Sequence, residues 1–205
     1  MRTLALVVSM LAAGLVQAQP QSAFQAPDVL VKNVTTEVVE LIAKDKDIRA
    51  GDRAKLVQLI EAKVLPHFNF QSMTALAMGQ SWNRASPEQK KQLIEEFKTL
   101  LVRTYASALA AYSDQRFDYR PLRAKPTDTD VTVQVRVIQP GAQPVPIDYS
   151  MERTGTGWKV YDVMVGGVSL VANYRTEFNG TVRTSGVEGL LKNLQAKNRS
   201  LAESK

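Results

Sequence analysis

Cysteine is absent from the 205-residue chain, which excludes disulfides, thiol catalysis and thiolate metal sites together. Histidine occurs once, at His67, so no His-rich metal cluster can form and a single imidazole is left for general-base chemistry. Following Pro66 at a helix junction, His67 reads as a capping or surface residue. The sequence contains no G-x-S-x-G elbow, P-loop, dinucleotide fingerprint or H-E-x-x-H motif. It also lacks a dense Lys/Arg run interleaved with aromatics, which argues against a nucleic-acid partner. The apolar run from Leu4 to Val16 falls short of the roughly 20 residues that a membrane-spanning helix needs.

That run, preceded by Arg2 and followed by the small-residue site Val16-Gln17-Ala18, has the form of a cleaved export signal. The expectation is a signal peptide over residues 1–18, cleavage near Ala18, and one domain over residues 19–205 ending in a polar tail from Lys197. Loss of Arg2 with the signal takes the net charge from +6 to +5. A mildly basic exported protein is drawn to anionic surfaces and, lacking disulfides, depends on its core.

Along the chain, Asp28 is placed to cap a helix with Leu30, Val34, Val38, Leu41 and Ile42 on one side. Lys44 to Gly51 reads as a polar turn, Asp52 opens a second helix, and Pro66 ends it. A short helix is expected from about Phe68 to Met78, stopped by Gly79. Ser86-Pro-Glu-Gln89 then starts a helix running to about Tyr112, with a broad apolar stripe. From Arg116 the period changes to two. Phe117 and Tyr119, then Val131 to Val137, then Ile147 to Met151 alternate apolar with polar residues, as strands with one dry face do. Trp158 to Val165 is nearly unbroken in its apolar character and reads as a fourth, central strand covered on both faces. Gly166 and Gly167 end it, and Ser169 caps a helix carrying Leu170, Tyr174 and Phe178. Gly180 to Gly189 reads as a link before a last helix from about Val187 to Ala196. The fold class is α+β: a four-stranded twisted antiparallel sheet with helices packed on one face.

Catalytic parts are few. Asp148 falls on the wet face by alternation, whereas Asp162 interrupts an apolar strand and is the candidate general base, or else a hydrogen-bonded structural carboxylate. Apolar surface is plentiful, and Met73, Met78, Met151 and Met164 supply adaptable side chains that tolerate a variable guest.

Three ordered motif groups carry a resemblance. The first runs from Phe68 and Phe70 through Met73-Thr74, Ala77, Gly79, Trp82 and Ala85-Ser86 to Gln89. The second comprises Phe97, Leu100-Leu101 and Thr104-Tyr105-Ala106. The third comprises Trp158, Val160 to Val163, Gly167-Val168-Ser169 and Asn173-Tyr174-Arg175. Together, over about Val29 to Leu194, the chain resembles the MlaC family of periplasmic phospholipid-binding proteins, also called toluene-tolerance or ABC-transporter auxiliary proteins. The resemblance implies a monomeric soluble shuttle without cofactor or metal. It would carry phospholipid between an outer-membrane lipoprotein–porin complex and an inner-membrane ABC transporter with its substrate-binding ring protein, so maintaining outer-membrane lipid asymmetry. It also implies an acyl-chain pocket inside the sheet. By alternation that pocket takes Val133, Val135, Val137, Ile147, Tyr149 and Met151, with Phe97, Leu101 and Tyr105 opposite and Val168 and Leu170 beyond the glycine turn. Asn69 and Gly166 depart from the family pattern, where acidic residues are expected, and alter the local charge. The alternatives are a hopanoid or other apolar lipid as cargo, an enzyme using Asp162 on a hydrophobic substrate, and an envelope adaptor with a filled core.

Overall fold

The computed structural model describes residues 24–110, 115–125 and 127–203; the expected signal peptide and Tyr112 lie outside them. Helix α1 spans Pro27–Lys44. Its N-cap is Ala26, not Asp28, because Pro27 takes the first helical position, where its fixed φ and missing N–H fit. Asp28 instead sits in the first turn, complementing the helix dipole. The segment read as a polar turn contains a one-turn helix α2, Lys46–Arg49, capped by Asp45, which accepts from the Asp47 and Ile48 amides at 3.0 and 3.2 Å. Burial of Ile48 is what the propensity of this polar stretch could not reveal.

Asp52 caps α3, Arg53–Lys63, accepting from the Lys55 amide at 2.9 Å. After a 3-10 turn at Leu65–His67, α4 covers Phe70–Met78. It starts two residues later than expected because Phe68 pairs with Val160 in strand fashion, and Asn69 donates its amide to the Val160 carbonyl at 2.8 Å. Asn69 is therefore the cap: its Oδ1 accepts from Ser72 N at 3.1 Å, while its Nδ2 donates to Glu152 Oε1 at 2.8 Å. A carboxylate in its place could not make that second bond. Helix α5, Pro87–Ala110, opens with a reciprocal capping box in which Gln89 N donates to Ser86 Oγ at 3.2 Å and Ser86 N to Gln89 Oε1 at 3.0 Å.

The sheet is a meander of five strands rather than four: β1 Arg116–Tyr119, β2 Asp130–Ile138, β3 Val145–Thr154, β4 Gly157–Val165 and β5 Val168–Ser169, in that order and antiparallel throughout. The fifth is a two-residue return after Gly166 and Gly167 (φ 59° and 85°), too short to leave a periodic signal. The apolar run of β4 also has a different cause from burial on both faces. Ser150 pairs with Asp162 but Met151 pairs with Val160, so Tyr161 is an extra residue in a β-bulge. The bulge shifts the phase. Trp158 and Val160 lie on the buried face before it and Val163 after it, while Tyr161 bonds with Asp130 and Ser150 on the outer face.

Ser169 caps α6, Leu170–Glu203, its Oγ accepting from Ala172 N at 2.9 Å. The expected link at Gly180 to Gly189 shrinks to a kink at Gly186 (φ 68°), and the expected polar tail is helical to Glu203. Glycine costs a helix only about 1 kcal/mol. Burial of Phe178, Val182, Leu190 and Leu191 against the α4–α5 layer overrides it. Gly189 is required by space: a Cβ there would lie 2.3 Å from Ser185 Cβ.

Candidate functional site

Between the sheet, α1 and the helical layer the side chains leave a cavity of about 440 Å³. Helix α1 supplies Leu30, Val31, Val34, Val38 and Ile42, which recur at helical spacing and line one wall. The end of α3 and the turn after it add Ile60, Val64, Leu65 and His67; α4 and its lead-in add Phe68, Phe70 and Met73. Leu101, Val102, Tyr105 and Ala106 come from α5, and Ile147, Tyr149, Met151, Val160, Val163 and Val165 from the inner face of β3 and β4. Burial grades along those strands. Met151 and Val160 are buried at one end, whereas Ile147 and Val165, a register pair, and Leu170 are half-buried at the other. The cavity is thus deepest near Met151 and shallowest by the β4–β5 turn.

Among the described residues, no Asp, Glu, Lys or Arg lines it. His67 lines the cavity, contrary to the reading of it as a cap or surface residue. Partial burial, aided by nearby Lys159 and opposed by Glu37, holds its imidazole below the usual range and therefore neutral at pH 7. Tyr119, half-buried, engages Thr35 and Thr36, tying β1 to α1; burial raises its phenol above the usual value. A wall made mostly of branched aliphatic, aromatic and methionine side chains favours hydrocarbon, and His67 is the one imidazole among its lining residues.

Of the residues expected at the pocket, Leu101, Tyr105, Ile147, Tyr149, Met151 and Leu170 come together on its wall. Phe97 does not reach it. Fully buried, it packs edge-on to Tyr174 and Phe178 at ring-centroid distances of 5.0 and 5.1 Å, within the helical layer. Val133, Val135 and Val137 are buried outside the lining; the first two pack in one cluster with Leu30 and Val31 of α1. Val168, 59% exposed, stands on β5 beside the shallow end. The α1 and β4 walls were missed, although α1 announced itself by its apolar stripe. Alternation identifies a dry face, not the part of it left uncovered.

Asp162 is bound up in the β4–β5–α6 corner. Its Oδ1 accepts from the Val163 and Val171 amides at 2.8 and 3.1 Å, and its Oδ2 accepts from Ser169 Oγ. These bonds make it the anchor of the turn and of the first turn of α6, as the structural reading held. Asp148 lies away from the cavity, as alternation indicated.

An α+β shell enclosing an uncharged apolar cavity defines a binder of hydrophobic ligands. The MlaC protein family model matches residues 32–196, and the chain belongs to that family. Over 173 residues it is 22% identical to the intermembrane phospholipid transport system binding protein MlaC of Haemophilus influenzae, covering 83% of this chain and 81% of that protein. Over 165 residues it is 25% identical to toluene tolerance protein ttg2D of Pseudomonas putida, covering 80% and 76%. A phospholipid-binding protein from Ralstonia solanacearum, solved in complex with a phospholipid, superposes with a TM-score of 0.82 at 39% identity, covering 87% of this chain and all of that one. Among the described residues no helix is long and apolar enough to cross a membrane.

Proposed function

We propose that this protein is a periplasmic phospholipid carrier, moving lipid between an outer-membrane lipoprotein–porin complex and an inner-membrane ABC transporter with its substrate-binding ring protein. The observation that carries this reading is the uncharged cavity of about 440 Å³ in a chain 39% identical to a protein solved with phospholipid. Scaled from the roughly 150 Å³ cavity that admits benzene, that volume corresponds to roughly eighteen carbons, about one acyl chain. Leu101, Tyr105, Ile147, Tyr149, Met151 and Leu170 hold the hydrocarbon, together with α1, and Val168 marks the rim.

The function is transport without chemistry. Removing the roughly 18 carbons of one acyl chain from water is worth roughly 14 kcal/mol at about 0.8 each, yet that chain leaves a bilayer that is already dry. Exchange between membrane complex and cavity is therefore nearly balanced, so modest differences in docking set its direction. Asp162 needs no catalytic role, because its oxygens already serve the β4–α6 corner. ATP hydrolysis belongs to the transporter.

The test is uptake. Delipidated protein is incubated with phosphatidylglycerol–phosphatidylethanolamine vesicles, re-isolated by size, and assayed for phosphorus. Stoichiometric phospholipid supports the carrier reading; protein that returns empty, while a control carrier loads, overturns it.

A further inference from the structure

The outer face of the sheet carries a second, polar cleft of about 680 Å³, walled by Arg120, Arg123, Gln134, Arg136, Pro146 and Asp148. Arg136 is engaged: its Nε and Nη2 both donate to Asp118 Oδ2, at 3.2 and 2.7 Å. Arg120 and Arg123 are exposed, and neither has a carboxylate partner among the described residues. Asp148, half-buried, likewise has no cationic partner among them. The frame is fixed by the sheet: Arg120 N donates to Gln134 O at 3.0 Å, Gln134 pairs with Asp148, and Arg136 pairs with Pro146. The fold thus holds two guanidinium groups and one carboxylate over a rigid strand surface without using them.

We infer that this cleft docks an acidic protein segment in which carboxylates alternate with a hydrogen-bond donor. Guanidinium forks take carboxylates in paired geometry, so Arg120 and Arg123 match the acidic groups. A donor from the same segment meets Asp148. A flat anionic bilayer fits less well, since it would press on Asp118 and Asp148 and cannot enter a concavity. Position gives the cleft its use. Ile147 stands between Pro146 and Asp148 on β3, and successive residues of a strand face opposite sides. The stretch that forms the cleft outside therefore forms the shallow end of the apolar cavity inside. A partner seated on the cleft lies beside the cavity rim; this consequence rests on the carrier reading, whereas binding of an acidic segment does not.

The experiment titrates isotope-labelled full chain with millimolar acetyl-Gly-Glu-Ser-Glu-Gly-amide, with its Gln-for-Glu counterpart, and with acetyl-Gly-Glu-Ala-Glu-Gly-amide, following amide shifts by NMR. Saturable shifts centred on Arg120, Arg123 and Gln134 are expected, with the Gln peptide silent. Arg120→Glu combined with Arg123→Glu should weaken binding at least tenfold with the remaining spectrum unchanged, and Asp148→Asn should erase the preference for Ser over Ala. Absence of cleft-centred shifts overturns the proposal. So does arginine-dependent flotation with vesicles of 30% phosphatidylglycerol in phosphatidylcholine when the peptides are silent. Bound lipid is measured in the same samples by native mass spectrometry. Its absence from both wild type and variant counts against the carrier reading and leaves the peptide result intact.

Discussion

Val163→Asp places a carboxyl group on the cavity wall, where Val163 is a buried lining residue on the inward side of the β4 bulge. In the empty protein, water entering the cavity can solvate the charge, so the fold is only modestly weakened. With an acyl chain seated, that water is gone and, among the described residues, no Lys or Arg lines the wall. The carboxyl group must then be neutral. Holding a group of ordinary pKa ~3.9 protonated at pH 7 costs ~4 kcal/mol at ~1.36 per unit, about a thousandfold in lipid affinity. The sign follows from linkage: the loaded state binds the extra proton, so affinity rises about tenfold for each pH unit of acidification and levels off below about pH 4. The assay is displacement of a fluorescent fatty-acyl phospholipid between pH 4.5 and 8, with circular dichroism to confirm folding. Val163→Asn is the control, expected to lose a smaller amount at every pH. Lipid affinity in Val163→Asp that matches wild type at pH 7, or is reduced equally at all pH values, would refute the placement of the acyl chain against β4.

Phe97→Ala should destabilise the fold by about 3–5 kcal/mol in urea melts while the folded fraction keeps its lipid, because Phe97 packs against Tyr174 and Phe178 rather than the cavity. Gly189→Ala should cost about 1–3 kcal/mol in the same melts, since its Cβ would collide with Ser185 at the α6 kink; a neutral result would show that the kink has slack. Asp162→Ala should lower stability by about 1–3 kcal/mol, leaving the Val163 and Val171 amides without their acceptor. Its lipid content should not change, and a loss of some measured turnover in place of stability would revive the enzymatic alternative.

Local chemistry made much of this fold legible. The Ser86 capping box, the Asp52 cap, the Gly79 stop and the period-two strands are each specified within a few residues and appear where expected. What the sequence hid depends on distant partners. Tyr161 looks like part of a continuous apolar strand and Asp162 like an interruption of it until the register with Ser150 and Met151 exposes a bulge. Gly180 and Gly189 look like a loop, yet α6 runs through both because its apolar residues bury against α5. For the site, alternation sorted inner from outer faces of β2 and β3, but could not tell that α1 packs with Val133 and Val135 while space remains beside Ile147, Tyr149 and Met151. That division is set by the path of α1, which no residue in the strands encodes.

The most direct measurement of the central claim is native mass spectrometry of the protein from a periplasmic extract, followed by denaturation and lipid extraction. A mass increment equal to one or more phospholipids, released on denaturation and identified in the extract, is the result the carrier account predicts. A chain that flies at its bare mass, under conditions that keep a control carrier loaded, would contradict it.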